Sequence, residues 1–300
     1  MNFDPEDAEY YSSIGGEIGE KLRRHLAVDK DGDNIFTLTK EKRCPFLNNK
    51  NLCELYIALG KESLCPTCTL FPRFYDDFGS FREMGLGFGC PEAARIILSQ
   101  NSSIKIAEFA DIEAEETDID DDLFDLMFEE RDKILFFLGK KLPIKNTIKA
   151  LLEEAKRFQS EIFGMDDTES KSKYTDLIEL MAQMEYIDGD REKLYTTLPK
   201  SFSFDEFEDD FRRLLEYYIF RYMFKAVYDR DLLTKIKYGV FACAVIGRAY
   251  AKKNVLTLED RIDIMCGYSK EVEYSDVNMD LLDNAMRDSF SVDSLVELIQ

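Results

Sequence analysis

From about residue 100 onward, apolar residues recur at spacings of three and four, the period that lays side chains along one face of a helix. In Asp122–Leu138 the stripe comprises Leu123, Leu126, Met127, Ile134, Phe137 and Leu138. The same spacing predicts helices over Thr147–Phe163, Lys173–Ile187, Phe204–Tyr228, Leu233–Lys252, Leu258–Tyr274 and Met279–Phe290. Pro143 and Pro199 interrupt the pattern, Asp205 and Glu206 suit a first turn, and Thr257 with Asp260 is set up to cap another helix. Residues 1–43 begin with an acidic helical pattern over about 5–27. A turn at Asp31-Gly32-Asp33-Asn34 and a β-prone run, Ile35–Leu38, follow. Residues 44–99 carry a short helix to Gly60, a hairpin pairing Arg73–Tyr75 with Phe81–Gly87, and a helix opening at Pro91. The chain therefore divides into an N-terminal helical segment (1–43), a cysteine-rich module (44–99) and a helical domain (100–300). Its fold class is mainly α, a helical bundle with a small cysteine-rich module containing a β-hairpin. The acidic run Glu113–Asp122 reads as a solvated linker.

Charge narrows the function classes. Sixty Asp and Glu against 39 Lys and Arg give a net charge of −21. Such a field repels nucleic acid and anionic membranes and suits a cationic partner. No apolar run reaches the ~20 residues that span a bilayer. The opening Met1-Asn2-Phe3-Asp4-Pro5-Glu6-Asp7 lacks the basic and apolar regions of a signal peptide, so a cytoplasmic location is expected. The 23 Phe and 15 Tyr sit mostly at helical spacing and read as core, because the basic residues of a base-stacking platform are missing.

Five of the seven cysteines, Cys44, Cys53, Cys65, Cys68 and Cys90, crowd into residues 44–90. In a chain expected to stay reduced, such a cluster points to a metal site more than to disulfides. The single histidine, His25, ends a basic helical turn, which argues against a His-rich zinc site, a Ser-His-Asp triad or a Cys-His pair. Thiolates alone point to zinc or an iron–sulfur cluster. Cys53, Cys68 and Cys90 each lie near a helix N-terminus, which favours the thiolate. Cys65-Pro66-Thr67-Cys68 follows the helical stretch Ile57–Ser63 rather than a strand, against a thioredoxin-like redox role. Spacing does not choose between Cys65 and Cys68 as a ligand. Cys243 and Cys266 fall on apolar helix faces and read as core.

The text Cys44-Pro45-Phe46-Leu47, Leu52-Cys53-Glu54-Leu55-Tyr56, Thr67-Cys68 to Phe71-Pro72-Arg73 and Cys90-Pro91-Glu92-Ala93-Ala94-Arg95 resembles the flagellin lysine-N-methylase family. The resemblance continues in Phe211-Arg212-Arg213, Tyr217-Tyr218-Ile219-Phe220-Arg221-Tyr222 and Asp231-Leu232-Leu233. It ends in Tyr268-Ser269-Lys270-Glu271-Val272-Glu273-Tyr274-Ser275-Asp276-Val277-Asn278, where Tyr274 replaces a histidine common in the family. It implies S-adenosylmethionine-dependent methylation of lysine on flagellin or another lysine-bearing protein, by an enzyme with an iron–sulfur cluster. By position, Cys44, Cys53, Cys68 and Cys90 are the implied ligands, with zinc as the alternative metal. The resemblance also implies an N-terminally shortened member. The rival reading is a non-catalytic zinc- or cluster-binding interaction protein with an acidic docking surface.

Glu83-Met84-Gly85-Leu86-Gly87-Phe88-Gly89 matches the text of a methyltransferase cofactor loop, but its setting does not. Such a loop follows a buried parallel strand and is succeeded by alternating strands and helices. The catalytic candidates lie instead near the C-terminus. Tyr268, Glu271, Ser275 and Asn278 share one helical face, which spacing alone matches equally to an acidic surface. The family resemblance favours a site, with Tyr268 and Glu271 as its catalytic residues.

Overall fold

The computed structural model describes residues 2–30, 32–41, 43–79, 81–100 and 119–300. Most of the acidic run, residues 113–118, lies outside them. The chain separates into two compact units, Met1–Phe74 and Tyr75–Gln300. The division falls inside the 44–99 stretch, so Cys44, Cys53, Cys65 and Cys68 belong to the first unit and Cys90 to the second.

The first unit opens with β1 (Asn2–Phe3), α1 (Pro5–Ser13), α2 (Gly16–His25), β2 (Leu26–Val28) and β3 (Asn34–Phe36). The strands form an antiparallel sheet of order β1-β3-β2, with Ile35 opposite both Asn2 and Ala27. The single helix expected over 5–27 is broken in two. Gly16 takes φ +73°, which an L side chain rarely adopts, and a Cβ on Gly19 would sit 1.9 Å from the Ile14 carbonyl oxygen. His25 closes α2 beside Arg23 and Arg24, where cations suit the helix dipole. Beyond the sheet come α3 (Glu54–Leu59), a 3₁₀ turn (Lys61–Ser63) and α4 (Pro66–Leu70), with Pro66 at a first-turn position that needs no N–H. Phe3, Tyr11, Leu22, Phe36, Phe46, Leu55 and Cys65 make the core. The Tyr11 hydroxyl donates to the Ser63 carbonyl at 2.9 Å.

β4 (Arg73–Phe78) and β5 (Phe81–Leu86) form the expected hairpin, its strands running closer to the turn than the sequence suggested. The rest is helical: α5 (Pro91–Ser99), α6 (Asp121–Leu138), α7 (Ile144–Phe163), α8 (Tyr174–Gln183), α9 (Gly189–Thr196), α10 (Glu208–Tyr222), α11 (Ala226–Asp229), α12 (Leu232–Tyr250), α13 (Leu258–Tyr268), α14 (Asp276–Asp288) and α15 (Val292–Leu298). The fold is mainly α, as expected. The helix predicted over 204–228 opens only at Glu208, passes through a 3₁₀ turn at Met223–Lys225 and stops where Arg230 turns left-handed at φ +57°. Thr257 and Asp260 cap α13 reciprocally. That helix leaves α geometry at Ser269–Glu273, a π turn, before α14 begins. Among the described residues no helix is long and apolar enough to cross a membrane.

Every residue of α12 is buried. It packs against α7, α10, α13, α14 and α15. It comes close to α10, where a Cβ on Gly239 would lie 2.9 Å from the Tyr218 Cβ. Gly239→Ala should gain about 1 kcal/mol of helix propensity. It should lose about 1–3 kcal/mol to overpacking, because a neighbour's Cβ cannot swing away. We expect a net loss near ~1 kcal/mol, read as a lower urea midpoint at constant slope. An unchanged or raised midpoint would show that α10 and α12 can part freely.

Candidate functional site

Cys44, Cys53 and Cys68 pack against the first unit's core, of which Cys65 is a member. A hydrogen bond from the Cys68 thiol draws Cys65 down to about 6, and donating it pushes Cys68 up. Burial pushes Cys44 up as well. Thiols are the right chemistry for a soft metal, but among the described residues no three or more His, Cys, Asp or Glu could hold a metal ion. Within the first unit Cys44, Cys53 and Cys65 lie near enough for their charges to act on Cys68, while Cys90 belongs to the second unit. Cys90 caps α5 in the second unit, near Cys266 and Tyr274. Cys243 and Cys266 are buried, as expected of core residues.

The predicted C-terminal face divides its work. Glu271 Oε2 accepts from the Ile187 amide at 2.7 Å and Oε1 from the Asp188 amide at 3.2 Å. Burial raises its carboxyl against the pull of those two amides. The Asn278 side chain accepts from Glu185 N at 2.9 Å and donates to Glu185 O and Glu271 O at 2.7 and 2.6 Å. Ser275 Oγ donates to Glu185 Oε1 at 2.9 Å. Three of the four residues thus clamp segment 185–188, which joins α8 to α9. Tyr268 points elsewhere. It is buried, with its ring edge-on to Tyr195 at 6.0 Å and no hydrogen-bond partner for its hydroxyl.

Two residues beyond Glu271, the π turn turns Glu273 toward α10. Its Oε2 accepts from the Tyr217 hydroxyl at 2.7 Å and the Tyr222 hydroxyl at 3.0 Å, and pairs with Arg221 Nη1 at 3.3 Å. Burial raises Tyr217, Tyr218, Tyr222 and Tyr268 well above the usual phenol value, and the Glu273 charge adds to each. All four therefore stay protonated donors. The Tyr218 hydroxyl, like that of Tyr268, is buried without a partner. Burial works against the charge of Arg221, but the Glu273 carboxylate beside it favours that charge, and the group is raised. Its guanidinium lies over the rings of Tyr217, Tyr222 and Tyr274 at 5.7, 5.3 and 5.4 Å.

The glycine run reaches this cluster from the other side. Phe88 meets the Tyr217 ring edge-on at 4.7 Å, and a Cβ on Gly89 would lie 2.7 Å from the Tyr274 ring. Cys266 Sγ donates to the Gly89 carbonyl at 3.2 Å. Glu83, the acidic residue of the run, is buried in an ion pair with Arg131, whose guanidinium sits 3.8 Å from the Phe224 ring. The run belongs to a two-stranded hairpin followed by helices, as its sequence setting indicated.

Sequence reasoning did not single out Glu273, Arg221 and the tyrosines of α10 as a site. Their signal was the pairing of a tyrosine-rich helix with a second carboxylate two residues after Glu271.

The model of the FliB lysine N-methylase C-terminal domain matches residues 96–299, and the chain belongs to that family. The chain is 31% identical over 65 residues to a lysine-N-methylase of Salmonella typhimurium, covering 22% of this chain and 16% of that protein. It is 31% identical over 65 residues to the flagellar biosynthetic protein FliU of Salmonella muenchen, covering 22% of this chain and 38% of that protein. No solved structure matches.

Two predictions follow from the geometry. Tyr268→Phe should leave stability unchanged or raise it, because removing an unpartnered buried hydroxyl removes a desolvation cost. Glu271→Ala should cost about 1–3 kcal/mol by stranding two backbone amides. Thermal or urea unfolding of both variants checks the pair, and the reverse order would refute this placement. The phenols also fix an alkaline limit. Their folded values lie above the unfolded value near 10, so stability is full below pH ~10 and falls above it. The loss is about 1.4 kcal/mol per tyrosine per pH unit. Ionisation of these four, followed by ultraviolet absorbance, should coincide with unfolding. Titration of all 15 tyrosines near pH ~10 in a still-folded protein would contradict the burial.

Proposed function

We propose that this protein transfers methyl groups from S-adenosylmethionine to lysine side chains of flagellin or another lysine-bearing surface protein. The observation that carries this reading is membership of the lysine N-methylase family over residues 96–299, together with the relatives' names. The matched relatives are longer than their shared segments, so the activity of this chain is inferred from the family.

Lysine methylation requires a neutral amine aligned with the methyl group in a site that excludes water. The amine nitrogen forms the new N–C bond while the C–S bond breaks, and sulfur keeps the electron pair. Glu273 is the carboxylate best surrounded for such work. Its tyrosine walls exclude water, and its charge compensates a cation brought beside it. Glu271 and Asn278 act behind it by fixing segment 185–188, and Tyr268 adds a protonated hydroxyl near the same carboxylate. The cysteine-held iron–sulfur cluster, with zinc as the alternative, is the part of the reading that donor geometry supports least.

The test is anaerobic incubation of the protein with labelled S-adenosylmethionine and flagellin, followed by hydrolysis and analysis for methyl-lysine. Labelled methyl-lysine is expected, and its absence with well-folded protein would reject the reading. Elemental analysis of the same material addresses the thiols. Iron with acid-labile sulfide would restore the cluster to the reading, and metal-free active protein would remove it.

A further inference from the structure

We propose that Glu273 and the rings of Tyr217, Tyr222 and Tyr274 form a recognition site for the lysine side chain of the substrate, as ammonium or methylated ammonium, and that Arg221 fills it in the free protein. The inference rests on the lysine-methylation reading and adds to it the site that holds the side chain.

The arrangement meets the requirements of an aromatic cage. Three tyrosine rings lie within 6 Å of one cationic centre, the range in which the ring quadrupole attracts a cation, and the Tyr217 hydroxyl also accepts from Arg221 Nη1. A buried carboxylate supplies the countercharge at 3.3 Å. The occupant is the chain's own guanidinium, so the site already demonstrates the charge it accepts. Methylation removes N–H donors from an ammonium but not its charge. The attraction of the rings and the carboxylate therefore keeps its hold as methyl groups are added, while the hydrogen bond to the Tyr217 hydroxyl is given up.

The walls differ in accessibility. Tyr217 and Tyr222 are 4% and 5% exposed, while Tyr274 is 43% exposed, so the side of Tyr274 is where a solvent-borne side chain reaches the carboxylate. Arg221 reaches the same place from α10, its side chain 11% exposed. Gly89 provides the room for that outer wall, since any Cβ there would strike the Tyr274 ring. Beside the carboxylate, the hydroxyls of Tyr218 and Tyr268 have no partner, consistent with a place built to receive another polar group.

The experiment measures binding without methyl transfer, using Nε-trimethyl-lysine and tetramethylammonium chloride as probes on the full chain. Arg221→Gln should bind both about tenfold more tightly than the parent protein, because the resident cation is gone. Adding Glu273→Gln to that variant should abolish the gain. A folded Arg221→Gln protein with parental affinity would overturn the proposal, as would a gain that survives Glu273→Gln. Should Arg221→Gln fail to fold, Gly89→Ala decides. It displaces only the outer ring and should raise KM for flagellin about fivefold with kcat little changed. An unchanged KM would overturn the proposal. Methyl transfer with no cage binding removes this inference and leaves the function standing. Cage binding with no methyl transfer removes the function and leaves a methyl-lysine-binding site.

Discussion

A helix with no solvent-facing side must find a partner for every charge it carries, and α12 sets this constraint for the second unit. Lys237 is buried between Asp167 at 2.6 Å and the Met286 carbonyl at 2.9 Å. Lys235 pairs with Asp229 at 2.6 Å and Asp283 at 3.4 Å. Arg248, which burial pushes down to about 10, donates to the Ala244 and Leu298 carbonyls. These bonds reach Asp167, Asp229, α14 and Leu298 of α15, so the polar residues of α12 fix where α14, α15 and the 166–172 stretch must lie. Breaking such a pair by removing one partner is costly because the other stays buried and charged. The apolar residues of α12 supply the drive to bury it, and the charges choose the arrangement.

That arrangement makes the two carboxylates of the π turn unequal. Residues two apart on a helix point to nearly opposite sides, so Glu271 and Glu273 cannot serve the same neighbour. Glu271 faces the 187–188 amides and braces the bundle. Glu273 faces α10, where tyrosines at 217 and 222 lie close enough to share one oxygen. The extra residue of a π turn widens the local helix, a device common at functional sites. Here it separates a bracing group from one in an aromatic, water-poor setting.

Much of this was legible in the sequence. The period of three and four gave the long helices, Thr257 and Asp260 announced a real cap, and the Cys243 and Cys266 spacing announced core. Helices α9 and α15 were missed because seven or eight residues show too little periodicity to distinguish them from loop. The 5–27 pattern hid its break because apolar spacing continues through Gly16, and only the backbone dihedral ends the helix. The site was half legible. Its C-terminal signature could be quoted from the text, but choosing between Glu271 and Glu273 depends on which residue a π turn directs toward the tyrosines, and helical spacing assumes no such turn.

Charge acts here at two ranges that do not substitute for each other. The net charge of −21 makes a diffuse field, damped over about 8 Å at physiological salt, that raises the encounter rate of cationic surfaces without choosing among them. Glu273 lies under that field with its Oε2 already shared among two phenols and a guanidinium, so it contributes little to long-range attraction. Its influence is confined to contact distance, where low polarity strengthens it and the rings set the shape of what fits. In the proposed cage, a lysine drawn to the acidic surface gains nothing specific until it displaces or joins the cation already held at Arg221. Selectivity, in this arrangement, comes from the competition inside the cage rather than from the acidity outside it.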